Sequence, residues 1–184
     1  MSDDFLELFS WLTPLVQRPT ADVFSAGSPE EAVLQEFSTN WGQVDTVDLL
    51  KGLSEKYGPL AAPAIEHFMA ACITKDWARI GNAESHPGTE VQDFLRVLWQ
   101  PLRVEGFEFT QKDTGGRVEL TVTRCPVYEL AKRTGMHTWL YHLACATDFY
   151  NASSFSDKIE FSRTKTLMES HECCNHAYSR KANR

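Results

Sequence analysis

The apolar residues of this chain change period near residue 104, and that change constrains the fold more than any other feature. Upstream, Ile65, Phe68, Met69, Cys72, Ile73, Trp77 and Ile80 recur at three- and four-residue intervals, the spacing of one face of a helix expected over 61–80. Downstream, Val104, Phe107 and Phe109 lie among polar residues, and Val118, Leu120 and Val122 alternate with Glu119, Thr121 and Thr123. The turn Lys112-Asp113-Thr114-Gly115-Gly116 joins the two runs, so a β-hairpin with one apolar face is predicted.

Punctuation residues place the remaining elements. Ser28-Pro29-Glu30-Glu31 offers a cap serine, a proline at the first helical position and a glutamate that can reach back, so a helix is predicted over 29–37. Further helices are predicted over 45–57, ended by Gly58, and over 89–99, with His86 in an exposed loop at 81–88. Pro126 ends the sheet run, a helix follows over 127–133 up to Gly135, and another takes 137–153. Strands return over 158–168 and 172–179. Hairpins in place of strand–helix–strand crossovers imply an α+β fold: N-terminal helices, then two antiparallel hairpins (ββ-αα-ββ) forming a sheet with helices packed on it. Residues 1–25 read as an N-terminal arm or helix, either docked on the surface or contacting a second copy in a homo-oligomer. Residues 26–180 read as a single domain and 181–184 as a basic tail.

Charge narrows the partners. Residues 1–100 carry 6 basic and 15 acidic side chains, residues 101–184 carry 12 and 10, and the whole is −7. An acidic chain argues against nucleic-acid binding, and any anion site belongs in the second half. Five cysteines are too few for a disulfide scaffold and odd in number, which points to reduced thiols and a cytoplasmic setting. The acidic start Met1-Ser2-Asp3-Asp4, and an apolar run broken by Glu7, Ser10 and Pro14, read as neither a signal peptide nor a membrane span.

The cysteines of the second half carry the candidate chemistry. Cys125 ends a strand. Cys145 sits in the 137–153 helix, where Tyr141, Cys145 and Asp148 are spaced to share a face. Cys173 and Cys174 are adjacent in a strand and point to opposite sides. With Tyr178 inward, Cys174 and His176 are inward too. A thiol that attacks carbon needs a proton acceptor within hydrogen-bond reach, which Asp148 or His176 could supply. Zn²⁺ takes the same residue types, but there is no Cys-x-x-Cys pair and two adjacent cysteines do not readily bind one ion, so no metal is expected. Cys72 lies on the apolar face of the 61–80 helix and reads as packing.

Cys125-Pro126, Cys145-Ala146-Thr147-Asp148, Phe161 to Leu167 (FSRTKTL) and Cys174-Asn175-His176 come in the order and spacing of a known signature. Over residues 100–180, and more weakly from about residue 45, the chain resembles the L-2-amino-thiazoline-4-carboxylic acid hydrolase family, a group of largely bacterial proteins. The resemblance implies a hydrolase-like domain that opens a small cyclic amidine, 2-amino-thiazoline-4-carboxylate, to N- or S-carbamoyl-cysteine, without a cofactor. It singles out Cys125, Cys145, Asp148, Arg163 and Cys174. Cys174 or Cys145 would be the nucleophile, Asp148 or His176 the acid/base, and Arg163 the fork for the substrate carboxylate. Trp139 and Tyr141 would line the pocket. Arg163 could instead pair with a carboxylate of the protein. The chain departs from the family pattern twice: Ser170-His171 replaces Gly-Asp in a turn, and Asn175-His176 replaces Asp plus an aromatic. The element order is also similar to the 4-vinyl reductase-like ligand-binding domains, which implies the alternative of a non-catalytic module for a small molecule or metal.

Overall fold

The computed structural model describes residues 2–18, 23–83 and 89–182, with only the backbone of 2–4. His86 and the last two residues of the basic tail lie outside the described residues. Helices α1 (Ser2–Leu8), α2 (Thr13–Val16), α3 (Pro29–Asn40), α4 (Thr46–Tyr57), α5 (Ala61–Ala83) and α6 (Glu90–Val104) precede strands β1 (Glu108–Asp113) and β2 (Arg117–Arg124). Helices α7 (Pro126–Thr134), α8 (His137–Leu143) and α9 (Asp148–Phe155) separate these from β3 (Ile159–Arg163) and β4 (Cys174–Arg180). The fold is α+β. No helix among the described residues is long and apolar enough to cross a membrane.

The chain divides into two compact units, Met1–Cys72 with Leu130–Thr147, and Ile73–Glu129 with Asp148–Arg184. The first is helical. Ser28 Oγ accepts the Glu31 N–H at 3.2 Å and starts α3, while Asp45 Oδ1 accepts from Val47 and Asp48 and starts α4. Phe5 and Phe9 are buried and stacked at 5.0 Å, and Phe5 and Phe37 both meet the Trp41 ring. Trp41 Nε1 donates to Thr13 Oγ1 at 3.1 Å.

The second unit holds the sheet, all antiparallel, in the order β1-β2-β4-β3. One face of it, through Phe109, Val118, Leu120, Val122, Ile159 and Tyr178, packs with Val91, Phe94, Leu95 and Trp99 of α6 and Ala152 and Phe155 of α9. A capping box, Thr89 with Gln92, starts α6. The end of α5 comes so close to α9 that a Cβ on Gly81 would lie 1.9 Å from the Phe155 carbonyl oxygen. At this position only glycine fits.

Three expectations are corrected. The helix predicted over 137–153 is broken: α8 ends at Leu143, a 3-10 turn takes Cys145–Thr147, and α9 starts at Asp148. The Thr147 hydroxyl donates to the Ala144 carbonyl at 2.6 Å and its N–H bonds the same oxygen, a local closure that competes with the helical ladder. Three helices therefore lie between the hairpins instead of two, and Tyr141, Cys145 and Asp148 do not share a helical face. Secondly, α6 runs through Pro101 to Val104, so Val104 is an exposed helical residue and not part of the strand. Thirdly, the strand predicted over 158–168 stops at Arg163. Asn175 Oδ1 accepts from the backbone N–H groups of Thr164 and Lys165, at 3.0 and 2.6 Å, and draws the chain off the ladder into a 3-10 turn at Leu167–Glu169.

Candidate active site

Strand alternation and register build the site. Along β4 the side chains of Cys174, His176 and Tyr178 fall on one face, and all three are buried. Register then sets Arg163 of β3 opposite His176 and Phe161 opposite Tyr178, while Leu120 and Val122 of β2 face His176 and Cys174 from the other side. Directly opposed residues in an antiparallel pair have neighbouring side chains. A guanidinium and an imidazole are thus placed together by pairing alone.

Asp148, the first residue of α9, joins them. Its Oδ2 accepts a short bond from Arg163 Nη1 and lies 3.1 Å from His176 Nε2. Arg163 is 2% exposed and Asp148 20%, so the ion pair is held largely out of water. Isolated buried charges are costly, and this pairing balances both. The expected partner of Arg163, a substrate carboxylate, has its counterpart here in a carboxylate of the protein.

Aromatic rings wall the imidazole. Trp99 meets it edge-on at 4.9 Å, and Phe161 stacks on it at 5.8 Å and on Tyr178 at 5.0 Å. Trp99 Nε1 donates to the Tyr178 hydroxyl at 3.1 Å, so its polar edge is satisfied away from His176. Phe149 of α9 packs edge-on against Phe161 and lies under the Arg163 guanidinium at 5.2 Å. His176 Nδ1, by contrast, is buried with no hydrogen-bond partner among the described residues.

Cys174 Sγ accepts the Leu167 N–H at 3.2 Å. Burial pushes its thiol above the ordinary value, and the Leu167 bond and the Arg163 charge oppose that rise. Cys125 is pushed up to about 12, chiefly by burial; N–H groups of Tyr128 and Val127 pull the other way, while Cys174 and Asp148 add to the rise. Burial, reinforced by Asp148, likewise holds the Tyr178 phenol well above its ordinary range, with the Trp99 bond opposing. The thiols here are protonated at neutral pH.

Of the residues proposed from sequence, Cys125, Asp148, Arg163, Cys174 and His176 gather in this second unit. Trp139, Tyr141 and Cys145 belong to the first unit. Trp139 is buried there, donates Nε1 to Ser54 Oγ at 2.8 Å, and lines a cavity of about 360 Å³ with Lys51, Ser54, Glu55, Gly135, Met136 and Thr138. Cys145 is a half-buried thiol in the 3-10 turn. Among the described residues no group of three or more His, Cys, Asp and Glu side chains is arranged to hold a metal ion. Of the rings that wall His176, Phe161 entered the sequence reading only as part of the FSRTKTL element and Trp99 only as the end of a helix. The signal existed for Trp99, which continues the apolar face of α6 set by Val91, Phe94 and Leu95.

No curated protein and no solved structure matches the chain. The similarity to 4-vinyl reductase-like domains finds no support in these comparisons. One family does match, that described as L-2-amino-thiazoline-4-carboxylic acid hydrolase, over residues 43–178, a span that holds all four signature elements and every residue of the site. The chain therefore belongs to the L-2-amino-thiazoline-4-carboxylic acid hydrolase family.

Proposed function

We propose that the chain is a hydrolase that opens a small cyclic amidine of the 2-amino-thiazoline-4-carboxylate type, with Cys174 as nucleophile and the His176–Asp148 pair handling protons. The observation that carries this reading is the placement of Cys174 and His176 on one buried strand face, with Asp148 Oδ2 3.1 Å from the imidazole. Because burial keeps Cys174 as a thiol, it must lose its proton as it attacks, and a neighbouring base is what such a nucleophile requires.

The chemistry balances as addition of one water. Sγ adds to the ring carbon between sulfur and nitrogen and hands its proton to the base. The tetrahedral adduct then expels the ring nitrogen, which takes that proton, and the ring opens on the enzyme. Water attacks the same carbon, Sγ leaves and recovers a proton, and S-carbamoyl-cysteine departs; expulsion of the ring sulfur would give N-carbamoyl-cysteine.

The test is incubation of the full chain with 2-amino-thiazoline-4-carboxylate, with product and any adduct on Cys174 followed by mass spectrometry. The proposal expects turnover, its loss in C174A, and its retention in C145A. Absence of turnover in the wild type counts against this substrate class, and turnover retained in C174A but lost in C145A removes Cys174 from the mechanism.

A further inference from the structure

We infer that Arg163 acts through Asp148 to hold His176 as its neutral Nε2–H tautomer, which makes the buried Nδ1 lone pair the proton acceptor of the site. Three observations lead there. A guanidinium only donates, so the Asp148 Oδ2 that meets Arg163 Nη1 is an acceptor. The same oxygen lies 3.1 Å from His176 Nε2, and a carboxylate carries no proton to give, so Nε2 must be the donor. Nδ1 has no hydrogen-bond partner among the described residues and sits on a side chain 5% exposed.

The charges agree with this state. Arg163 already neutralises Asp148, so a proton on Nδ1 would add an unbalanced cation and an unpaired buried N–H, both costly. The groups facing the ring are Asp148 from α9, Arg163 from β3, and Cys174 and Tyr178 along β4, with Cys125 beyond β2 close enough to feel Cys174 and Asp148. Both thiols and the phenol have raised values, and a neutral thiol or phenol supplies no charge that would draw a second proton to the ring. Arg163 is thus a positioning residue: it touches the acid/base pair and not the reacting carbon. Many sites orient a catalytic histidine with a carboxylate; here the carboxylate is itself pinned by a buried cation on the adjacent strand.

The use of Nδ1 in turnover rests on the hydrolase reading, but the tautomer does not, so the experiment reads it without substrate. The full chain is ¹⁵N-labelled at histidine, and long-range proton–nitrogen correlation spectra are recorded at pH 7, with His176 assigned by its loss in H176F. The expected spectrum has a protonated Nε2 and an unprotonated Nδ1. R163K keeps the cation and is expected to keep this pattern. R163Q leaves the Asp148 charge for His176 to balance and is expected to protonate both nitrogens. A wild-type ring protonated at Nδ1, alone or with Nε2, overturns the inference, as does an R163Q spectrum unchanged from wild type. Should R163Q not fold, the wild-type and R163K spectra still decide. An Nε2–H tautomer in a protein that does not turn over the thiazoline would sink the hydrolase reading alone.

Discussion

At the residue scale, the surroundings of His176 predict what its two ring nitrogens do. The ring is wedged between the Trp99 edge and the Phe161 face, contacts that a phenyl ring satisfies equally well. What a phenyl ring lacks is the pair of nitrogens. H176F should therefore keep the packing and the Asp148–Arg163 pair, shifting stability by no more than about 1 kcal/mol. It should also lower kcat on the thiazoline by a factor of about 10² to 10⁴, the usual worth of a positioned acid/base. Thermal unfolding and steady-state kinetics on one preparation check both parts; a large loss of stability, or an undiminished kcat, would show that the nitrogens serve the fold instead. The reading of Cys174, His176 and Tyr178 as one face was available from the sequence, because strand alternation is local. The tie between Asp148 and Arg163 was not, because it depends on which helix end lies over which strand. The break between Cys145 and Asp148 was not legible either, because it turns on the Thr147 side chain bonding back to Ala144.

At the element scale, two backbone positions make opposite predictions. Gly81 lies in the last turns of α5, where a Cβ would come within 1.9 Å of the Phe155 carbonyl oxygen. A backbone atom cannot swing aside as a side chain can, so G81A must push α5 and α9 apart. It should cost about 3 kcal/mol or more, at the upper end for overpacking, despite alanine's better helix propensity. Urea denaturation measures this, and an unchanged or raised midpoint would show that the two helices yield easily. Ser170 is the converse case. It follows the Leu167–Glu169 turn with φ 67°, a left-handed conformation that a side chain resists and glycine accepts. S170G should stabilise the protein by about 1 kcal/mol; a lower urea midpoint than wild type would contradict that. The helices α3 to α6 were legible because caps and prolines mark their starts. The break at Ala144 and the early end of β3 were not, since each turns on one side chain, Thr147 or Asn175, choosing a backbone partner over the regular ladder.

At the scale of the whole molecule, the α+β class followed from the change of hydrophobic period and from hairpins in place of crossovers, and an acidic composition taken alone would make carboxylates the expected source of pH sensitivity. The buried acids of the sheet unit point to the other end of the scale. Cys125 has its value pushed from an ordinary 9.0 up to about 12, and Cys174 and Tyr178 are raised as well, in each case mainly by burial. Below pH 9 folded and unfolded chains alike keep these protons, and the shifts do not act on stability. Above it the unfolded chain releases protons that the folded chain retains, so each such thiol draws the equilibrium toward unfolding as pH rises. For Cys125 the decline amounts to about 1.4 kcal/mol per pH unit and continues until the folded thiol itself ionises near 12. Urea midpoints should accordingly hold level from pH 7 to 8.5 and fall steeply by pH 10. C125A removes one of the groups and should shallow the slope while leaving the midpoint at pH 7 within about 1 kcal/mol of wild type. A midpoint constant to pH 10 in the wild type, or an identical slope in C125A, would mean that Cys125 meets water more freely than its position at the end of β2 implies.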